Sequence, residues 1–162
     1  MKIDKVLVPL DGSKLAEQAL TKALDVAEGS KPTFLLLRAA EATTWPGGDA
    51  AEEQVRVVRE AEEYLEGIRA ALARRGIRKV ETSVWYGPPA SAIVEAAQVS
   101  KADLIVMTTH GRSGLGRLIL GSVAEAVLRG SKTPILLLRA DGAPVQTPFG
   151  SAEERAMAEA RG

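Results

Sequence analysis

Glycines are concentrated in one short segment, Gly111 to Ser122. They are Gly111, Gly114, Gly116 and Gly121. Because glycine has no Cβ, backbone N–H groups in such a segment can approach a ligand closely. Gly121 and Ser122 open the next predicted helix, and a helix N-terminus offers unpaired donors and a partial positive charge. Arg112 and Arg117 can add charge-assisted hydrogen bonds. The segment therefore indicates a site for phosphate.

Two common phosphate-binding motifs do not fit this segment. Gly116 to Ser122 has the glycine spacing of a Walker A loop, but it lacks the lysine before the serine and its middle is apolar. The spacing Gly111-x-x-Gly114-x-Gly116 differs from Gly-x-Gly-x-x-Gly, and it follows the fourth predicted strand instead of the first. Both a Walker-type loop and a dinucleotide fingerprint are therefore excluded.

Asp11 is the candidate polar group from the other half of the chain, since it stands just past the first predicted strand. Its carboxylate could accept hydrogen bonds from ribose hydroxyls or approach a metal ion on the phosphates. The alternative is a purely structural aspartate that assists the turn before the helix. The ligand-binding interpretation is favoured because the glycine-rich segment follows the strand that lies beside the first in the expected topology.

These residues must be positioned by short apolar runs that alternate with longer amphipathic segments. The predicted strands are Lys5–Pro9, Thr33–Leu37, Val80–Tyr86, Asp103–Thr108 and Pro134–Arg139, and the predicted helices are Lys14–Glu28, Ala51–Arg75, Pro88–Val99 and Ser122–Arg129. Nearly continuous apolar runs are typical of parallel strands covered on both faces, whereas Val80–Tyr86 alternates and suits an edge. The pattern predicts an α/β fold, a single doubly wound domain with a five-stranded parallel sheet in the order 3-2-1-4-5 and four helices. Ligands bind such sheets at the carboxyl ends of the strands.

Details within this pattern predict where the elements begin and what they bury. Ser13 is placed as the N-cap of the first helix. The second helix is predicted to turn five apolar residues inward, namely Val55, Val58, Leu65, Ile68 and Leu72. Residues 39–50, which include Trp45, follow the second strand and form either a lid over the site or a variable surface loop. Residues 141–162 are predicted to be a tail, flexible or a short helix, beside one domain over 1–140.

Composition excludes several classes of function. Twenty-one basic residues balance 21 acidic ones, so no global basic field attracts nucleic acid. There is no cysteine, hence no disulfide framework and no thiolate metal site. The single histidine, His110, rules out a multi-histidine metal centre within one subunit. No apolar stretch has the length of a signal region or a membrane span, so a cytoplasmic location is expected.

From residue 2 to 140 the chain resembles the universal stress protein family, in particular its ATP-binding branch. The most specific part is Met107-Thr-Thr-His-Gly-Arg-Ser-Gly-Leu-Gly-Arg-Leu-Ile-Leu-Gly-Ser-Val-Ala-Glu, supported by Val6-Leu-Val-Pro-Leu-Asp-Gly-Ser. The signature of that branch is Gly-x2-Gly-x9-Gly-Ser/Thr. Gly111, Gly121 and Ser122 match its later positions. Thr108 stands at the first glycine of the signature, where its side chain could narrow the space near ribose or phosphates.

The resemblance implies an adenine nucleotide alpha hydrolase-like fold and a role for each matching residue. Adenosine would be held by Pro9, Leu10, Asp11 and Ala39. Ribose and phosphates would be surrounded by Met107, Thr108, His110, Gly111, Arg112 and Gly114, and the phosphates would also contact Gly121, Ser122, Val123 and Ala124. The implied ligand is ATP or another adenine nucleotide with Mg²⁺. The implied partner is a second copy joined through Pro134–Arg139, with neither a membrane nor nucleic acid as partner.

The function implied by the resemblance is a nucleotide-dependent regulatory or stress-response protein. Two alternatives stay open, a slow ATPase and a structural dimer with a vestigial nucleotide site. An enzyme needs a general base or nucleophile near the phosphates. His110 is the only candidate of its kind, and one histidine beside a glycine-rich loop is more often a phosphate or backbone contact. Catalysis is therefore not expected to be the main role.

Overall fold

Parallel strands alternate with helices throughout the computed structural model, which describes residues 2–27, 29–42, 47–109 and 121–139. The strands are β1 (Lys5–Pro9), β2 (Thr33–Ala40), β3 (Val80–Tyr86), β4 (Leu104–Thr109) and β5 (Ile135–Arg139). The helices are α1 (Lys14–Val26), α2 (Ala50–Arg74), α3 (Pro89–Val99) and α4 (Ser122–Gly130). All neighbouring strands pair in parallel, in the order β3-β2-β1-β4-β5. The predicted α/β fold, strand order and edge position of β3 are confirmed.

The sheet has a hydrophobic core on each face because successive side chains of a strand point to opposite sides. Val6 and Val8 of β1 pack in one cluster with residues of α1 and α2, such as Leu20 and Leu65. Leu7, between those two valines, packs in a second cluster with residues of α3 and α4. Both faces of the central strands are thereby removed from water, which explains their continuous apolar sequence.

The ends of two helices follow local capping rules. Ser13 caps α1 as predicted, since its hydroxyl oxygen accepts the N–H of Ala16 at 3.1 Å. At the end of α2 the N–H of Gly76 donates to the carbonyl of Ala73 and the N–H of Ile77 to that of Leu72, both at 3.0 Å. This pair of bonds is a Schellman motif, and it needs the positive φ of 84° that glycine adopts.

One prediction about α2 is wrong: the apolar spacing places Val55 on the inward face, whereas in the structure Val55 is 58% exposed. The buried residues of α2 begin only at Ala61. A helix of 25 residues is about 37 Å long, whereas the eight residues of β2 span about 26 Å. The helix is therefore longer than the strands on which it packs, and its first turns do not reach the core.

Some predictions lie outside the described residues. These are the tail over 141–162, Trp45 in the loop after β2, and the central part of the glycine-rich segment. Within the ranges that the structure does describe, no helix is both long enough and apolar enough to cross a bilayer.

Candidate functional site

A cavity of about 310 Å³ opens at the carboxyl ends of the strands. That volume lies within the range of small-molecule pockets. Its walls come from the last residues of β1, β2 and β4, from the segment that follows β1, and from the N-terminal turns of α1, α3 and α4. The lining residues are Pro9, Leu10, Asp11, Ala16, Leu37, Ala39, Pro89, Ile93, Met107, Thr108, Gly121, Ser122, Val123 and Ala124.

The position of the cavity follows from the strand order. β1 is paired with β2 on one side and with β4 on the other. The chain leaves β1 toward β2, whereas it leaves β4 toward β5 in the opposite direction. The connections after β1 and β4 therefore diverge, and a crevice forms between them at the carboxyl edge of the sheet.

One wall of the cavity is apolar. Leu37, Ile93 and Met107 belong to the buried cluster on the α3 and α4 face of the sheet. Ala39, two residues after Leu37, presents only a methyl group toward the same space. A flat apolar ring system could pack against such a surface, and the removal of both apolar surfaces from water would favour the contact.

Asp11 is an exposed residue at the mouth of the cavity. Its Oδ1 accepts the backbone N–H of Ser13 at 2.9 Å, which closes a tight turn. Gly12, at the centre of that turn, has a φ of +86°, a conformation that favours glycine. The structural role of Asp11 is therefore real, and it is compatible with a second role because the same residue lines the cavity.

The N-terminus of α4 forms the opposite wall. Gly121 is the N-cap, and as it has no side chain it provides no capping hydrogen bond to the first turn. Ser122, Val123 and Ala124, the first residues of the helix, all line the cavity. A helix end of this kind directs backbone N–H groups and a partial positive charge into the crevice.

Thr108 is 7% exposed and lines the cavity from within β4. The strand extends one residue further than predicted, to Thr109, because both threonines pair with β5 through Leu138 and Arg139. Thr108 shares a strand face with Leu104 and Val106, whose side chains pack with α1 and α2. Its side chain thus lies at the border between the cavity and that core.

The predicted site residues that fall within the described ranges all border this one cavity. They are Pro9, Leu10, Asp11, Ala39, Met107, Thr108, Gly121, Ser122, Val123 and Ala124. The other four, His110, Gly111, Arg112 and Gly114, lie outside the described residues. The cavity brings the ten together from four separate parts of the chain, and their contacts with a ligand stay predictions.

Four lining residues were not singled out from the sequence, namely Ala16, Leu37, Pro89 and Ile93. Pro89 had a readable signal, because Gly87-Pro88-Pro89 follows β3 and must lie at the same edge of the sheet. Ile93 is one turn further along α3, so it faces the same way as Pro89. Ala16 and Leu37 look like ordinary core residues in the sequence and carry no such signal.

The electrostatics of the lining are simple. Asp11 is the sole acidic residue among the described residues that line the cavity. Across the described part of the chain, no group of three or more His, Cys, Asp or Glu residues could hold a metal ion.

Comparison with known proteins agrees with this architecture. Residues 2–139 match the universal stress protein family. A universal stress protein of Methanocaldococcus jannaschii is 32% identical over 139 residues, which cover 83% of this chain and 81% of that protein. The crystal structure of a family member from Burkholderia pseudomallei superimposes with a TM-score of 0.69 at 28% identity, over 85% of this chain and 96% of that one. The crystal structure of a universal stress protein in complex with cAMP superimposes with a TM-score of 0.60 at 27% identity, over 87% and 100% of the two chains.

Proposed function

The chain belongs to the universal stress protein family, and from this premise we propose that it binds an adenine nucleotide, ATP foremost, in the cavity at the carboxyl ends of β1, β2 and β4. The observation that carries the proposal is the meeting of Asp11 and the N-terminus of α4 around one apolar pocket. A relative of similar fold was crystallised with cAMP, which is also an adenine nucleotide.

The cavity offers a chemically suitable surface to each part of an adenine nucleotide. The base packs against Leu37, Ala39 and Met107, which are apolar. The ribose hydroxyls donate to the Asp11 carboxylate. The phosphates lie at the start of α4, where Gly121 lets them approach the backbone and the Ser122 hydroxyl adds a donor.

Mg²⁺ fits this arrangement as a companion of the phosphates. Magnesium in nucleotide sites is held through one or two carboxylates together with phosphate oxygens and water. Asp11 is the one carboxylate among the described lining residues. When bound, the ion would neutralise phosphate charge.

We also propose that the protein is a nucleotide-dependent regulatory or stress-response protein rather than primarily an enzyme. The described lining contains no Lys, His or Cys that could serve as a nucleophile or as a base with a pKa near neutrality. Slow hydrolysis of ATP remains the alternative, with His110 as its candidate residue outside the described ranges. We further propose that residues 1–140 form a single domain and that the protein is located in the cytoplasm.

The proposed assembly is a homodimer through Pro134–Arg139. β5 pairs on one side with β4 and stands at the edge of the sheet. All five of its residues are half-buried, although four of them are Ile or Leu. A second copy of this apolar edge would cover it. Light scattering should give twice the 17.1 kDa mass of one chain, and a monomer across the accessible concentration range would refute the dimer.

Native mass spectrometry of freshly purified protein, followed by calorimetry with ATP and Mg²⁺, tests the binding proposal. We expect copurified nucleotide or heat of binding, and the absence of both at millimolar ATP would refute it. The double variant Asp11→Ala and Gly121→Val should lose binding while staying folded. Valine is compatible with the φ of −56° and ψ of 148° at Gly121, so a folding defect is not expected. Asp25→Ala, which removes an exposed aspartate of α1, is the matched control and should bind normally.

A further inference from the structure

β2 carries one charged residue, Arg38, next to two residues that line the cavity. Leu37 packs in the cluster on the α3 and α4 face of the sheet, so the alternation of side chains puts Arg38 on the opposite face, toward α1 and α2. Arg38 is half-buried. A guanidinium stays charged at every accessible pH, and a partly buried one must find partners.

The guanidinium of Arg38 lies against the turn that follows β1. A Cβ added to Gly12 would be 3.3 Å from Nη1 of Arg38 and 3.5 Å from Nη2. Gly12 is the residue after Asp11, at the centre of the turn that the bond from Ser13 N–H to Asp11 closes. Arg38 therefore packs on the backbone that sets the direction of the Asp11 carboxylate.

Tyr64 of α2 holds Arg38 from another side. The guanidinium carbon lies 4.9 Å from the centre of the Tyr64 ring, within the range of a cation–π interaction. The Tyr64 hydroxyl donates to Oε1 of Glu17 in α1 at 2.9 Å. Burial and this bond to a carboxylate both raise the pKa of Tyr64, and the charge of Asp11 adds to the effect. The phenol therefore keeps its proton and remains a donor.

Three side chains thus connect four elements behind the proposed ribose position. Glu17 belongs to α1, Tyr64 to α2 and Arg38 to β2, and the chain of contacts ends on the Gly12 turn after β1. We infer that Arg38 is a positioning residue for nucleotide binding: it holds the Gly12 turn so that Asp11 presents its carboxylate to the ribose, and Tyr64 and Glu17 hold Arg38. The inference rests on the proposed function for its ligand, whereas its hold on the turn can be measured in the free protein.

The first experiment measures adenosine binding by calorimetry, since adenosine carries the ribose without phosphates. Arg38→Met removes the charge and keeps a long side chain, and it should weaken binding about three- to tenfold, the size of coupling seen between contacting residues. Arg69→Met is the matched control, because Arg69 is an exposed arginine of α2 paired with Glu66, and its affinity should not change. Arg38→Lys keeps the charge without the planar fork and should be intermediate. An Arg38→Met protein that binds as the wild type would overturn the inference.

A double-mutant cycle with ATP separates positioning from direct contact. In the Asp11→Ala background the turn has no carboxylate to present, so Arg38→Met should cause no further loss of affinity. An equal loss in both backgrounds would mean that Arg38 acts on the ligand independently of Asp11, which overturns the positioning role. Tyr64→Leu should weaken binding in the same direction as Arg38→Met, whereas Tyr64→Phe keeps the ring and should have the smaller effect.

Hydrogen exchange of the free protein, followed by mass spectrometry, tests the hold on the turn without any ligand. A peptide covering Leu10 to Leu15 should exchange faster in Arg38→Met than in the wild type or in Arg69→Met. Unchanged exchange would overturn the inference, whether or not nucleotide binds. Faster exchange in a protein that binds no nucleotide would instead refute the proposed function while leaving the contact of Arg38 with the turn established.

Discussion

Ala39 of β2 and Trp85 of β3 are direct partners in the parallel register of the sheet. Ala39 borders the cavity, and Trp85 packs beside it against the apolar cluster that forms the cavity wall. The indole N–H of Trp85 donates to the Ser83 hydroxyl at 3.0 Å, which fixes the ring. Trp85 is therefore a neighbour of the proposed base position, oriented by its hydrogen bond to Ser83.

Trp85 should report occupancy of the cavity by fluorescence. The chain has two tryptophans, so Trp45→Phe leaves Trp85 as the only one. We expect its emission to change with added ATP or AMP, because a base beside Ala39 alters the polarity around the indole. Trp85→Phe is the control and should lose this response. Saturating binding by calorimetry with constant Trp85 emission would place the base elsewhere.

Enlarging Ala39 should block the base without unfolding the sheet. Ala39→Leu puts three more carbon atoms into the space that the base would fill, and we expect adenosine affinity to fall by about tenfold or more, as for a clash that costs roughly 1.4 kcal/mol or more. Ala126→Leu, on the exposed surface of α4, is the matched control. Thermal melts of both variants check the fold, and undiminished adenosine binding by Ala39→Leu would contradict the proposed position.

Two apolar residues of α2 should differ sharply in their contribution to stability. Leu65 is fully buried whereas Val55 is 58% exposed. Leu65→Ala should therefore lower the free energy of unfolding by about 2–5 kcal/mol, because it leaves a cavity. Val55→Ala should change it by only about 0.5 kcal/mol or less. Denaturant titration measures both, and equal losses would mean that the first turns of α2 are packed after all.

Tyr64 should lose its proton at a higher pH than an ordinary tyrosine does, because burial and Glu17 raise its pKa. Tyr86→Phe leaves Tyr64 as the only tyrosine, so phenolate absorbance follows it alone. Glu17→Gln in that background should lower the pKa of Tyr64, whereas Arg38→Met should raise it, since the Arg38 charge favours the phenolate. A shift in the opposite direction in either variant would contradict the described cluster.

The same raised pKa has a consequence for stability. A group whose pKa is higher in the folded than in the unfolded state stabilises the fold fully below its unfolded value of about 10. That contribution to stability is lost as the pH rises through the pKa of Tyr64 in the folded state. The wild type should therefore lose more stability than Tyr64→Phe above pH ~10, as measured by denaturant titration, and parallel losses would show that Tyr64 does not contribute.

Most of the fold was predictable because its signals are local. The bounds of β1 and β3 agree with those read from the sequence, whereas β2 extends three residues beyond the predicted end at Leu37. Arg38, Ala39 and Ala40 have no strand-like composition, and they become part of β2 because Val84, Trp85 and Tyr86 of β3 pair with them. Strand length thus depended on a partner that is distant in the sequence.

The candidate site likewise combines residues that the sequence identifies with contacts that only the tertiary structure creates. Asp11, Gly121 and Ser122 could be named from the sequence because residue type, spacing and place at a strand or helix end already restrict what they can do. The sequence also determined the alternation of strands and helices, since apolar periodicity is a local property. The tertiary structure alone decided that Ala16 and Leu37 line the cavity and that Arg38 stacks on Tyr64 behind the Asp11 turn. Contacts of this kind join residues far apart in the chain, and they exist only because two layers of helices pack on one twisted sheet.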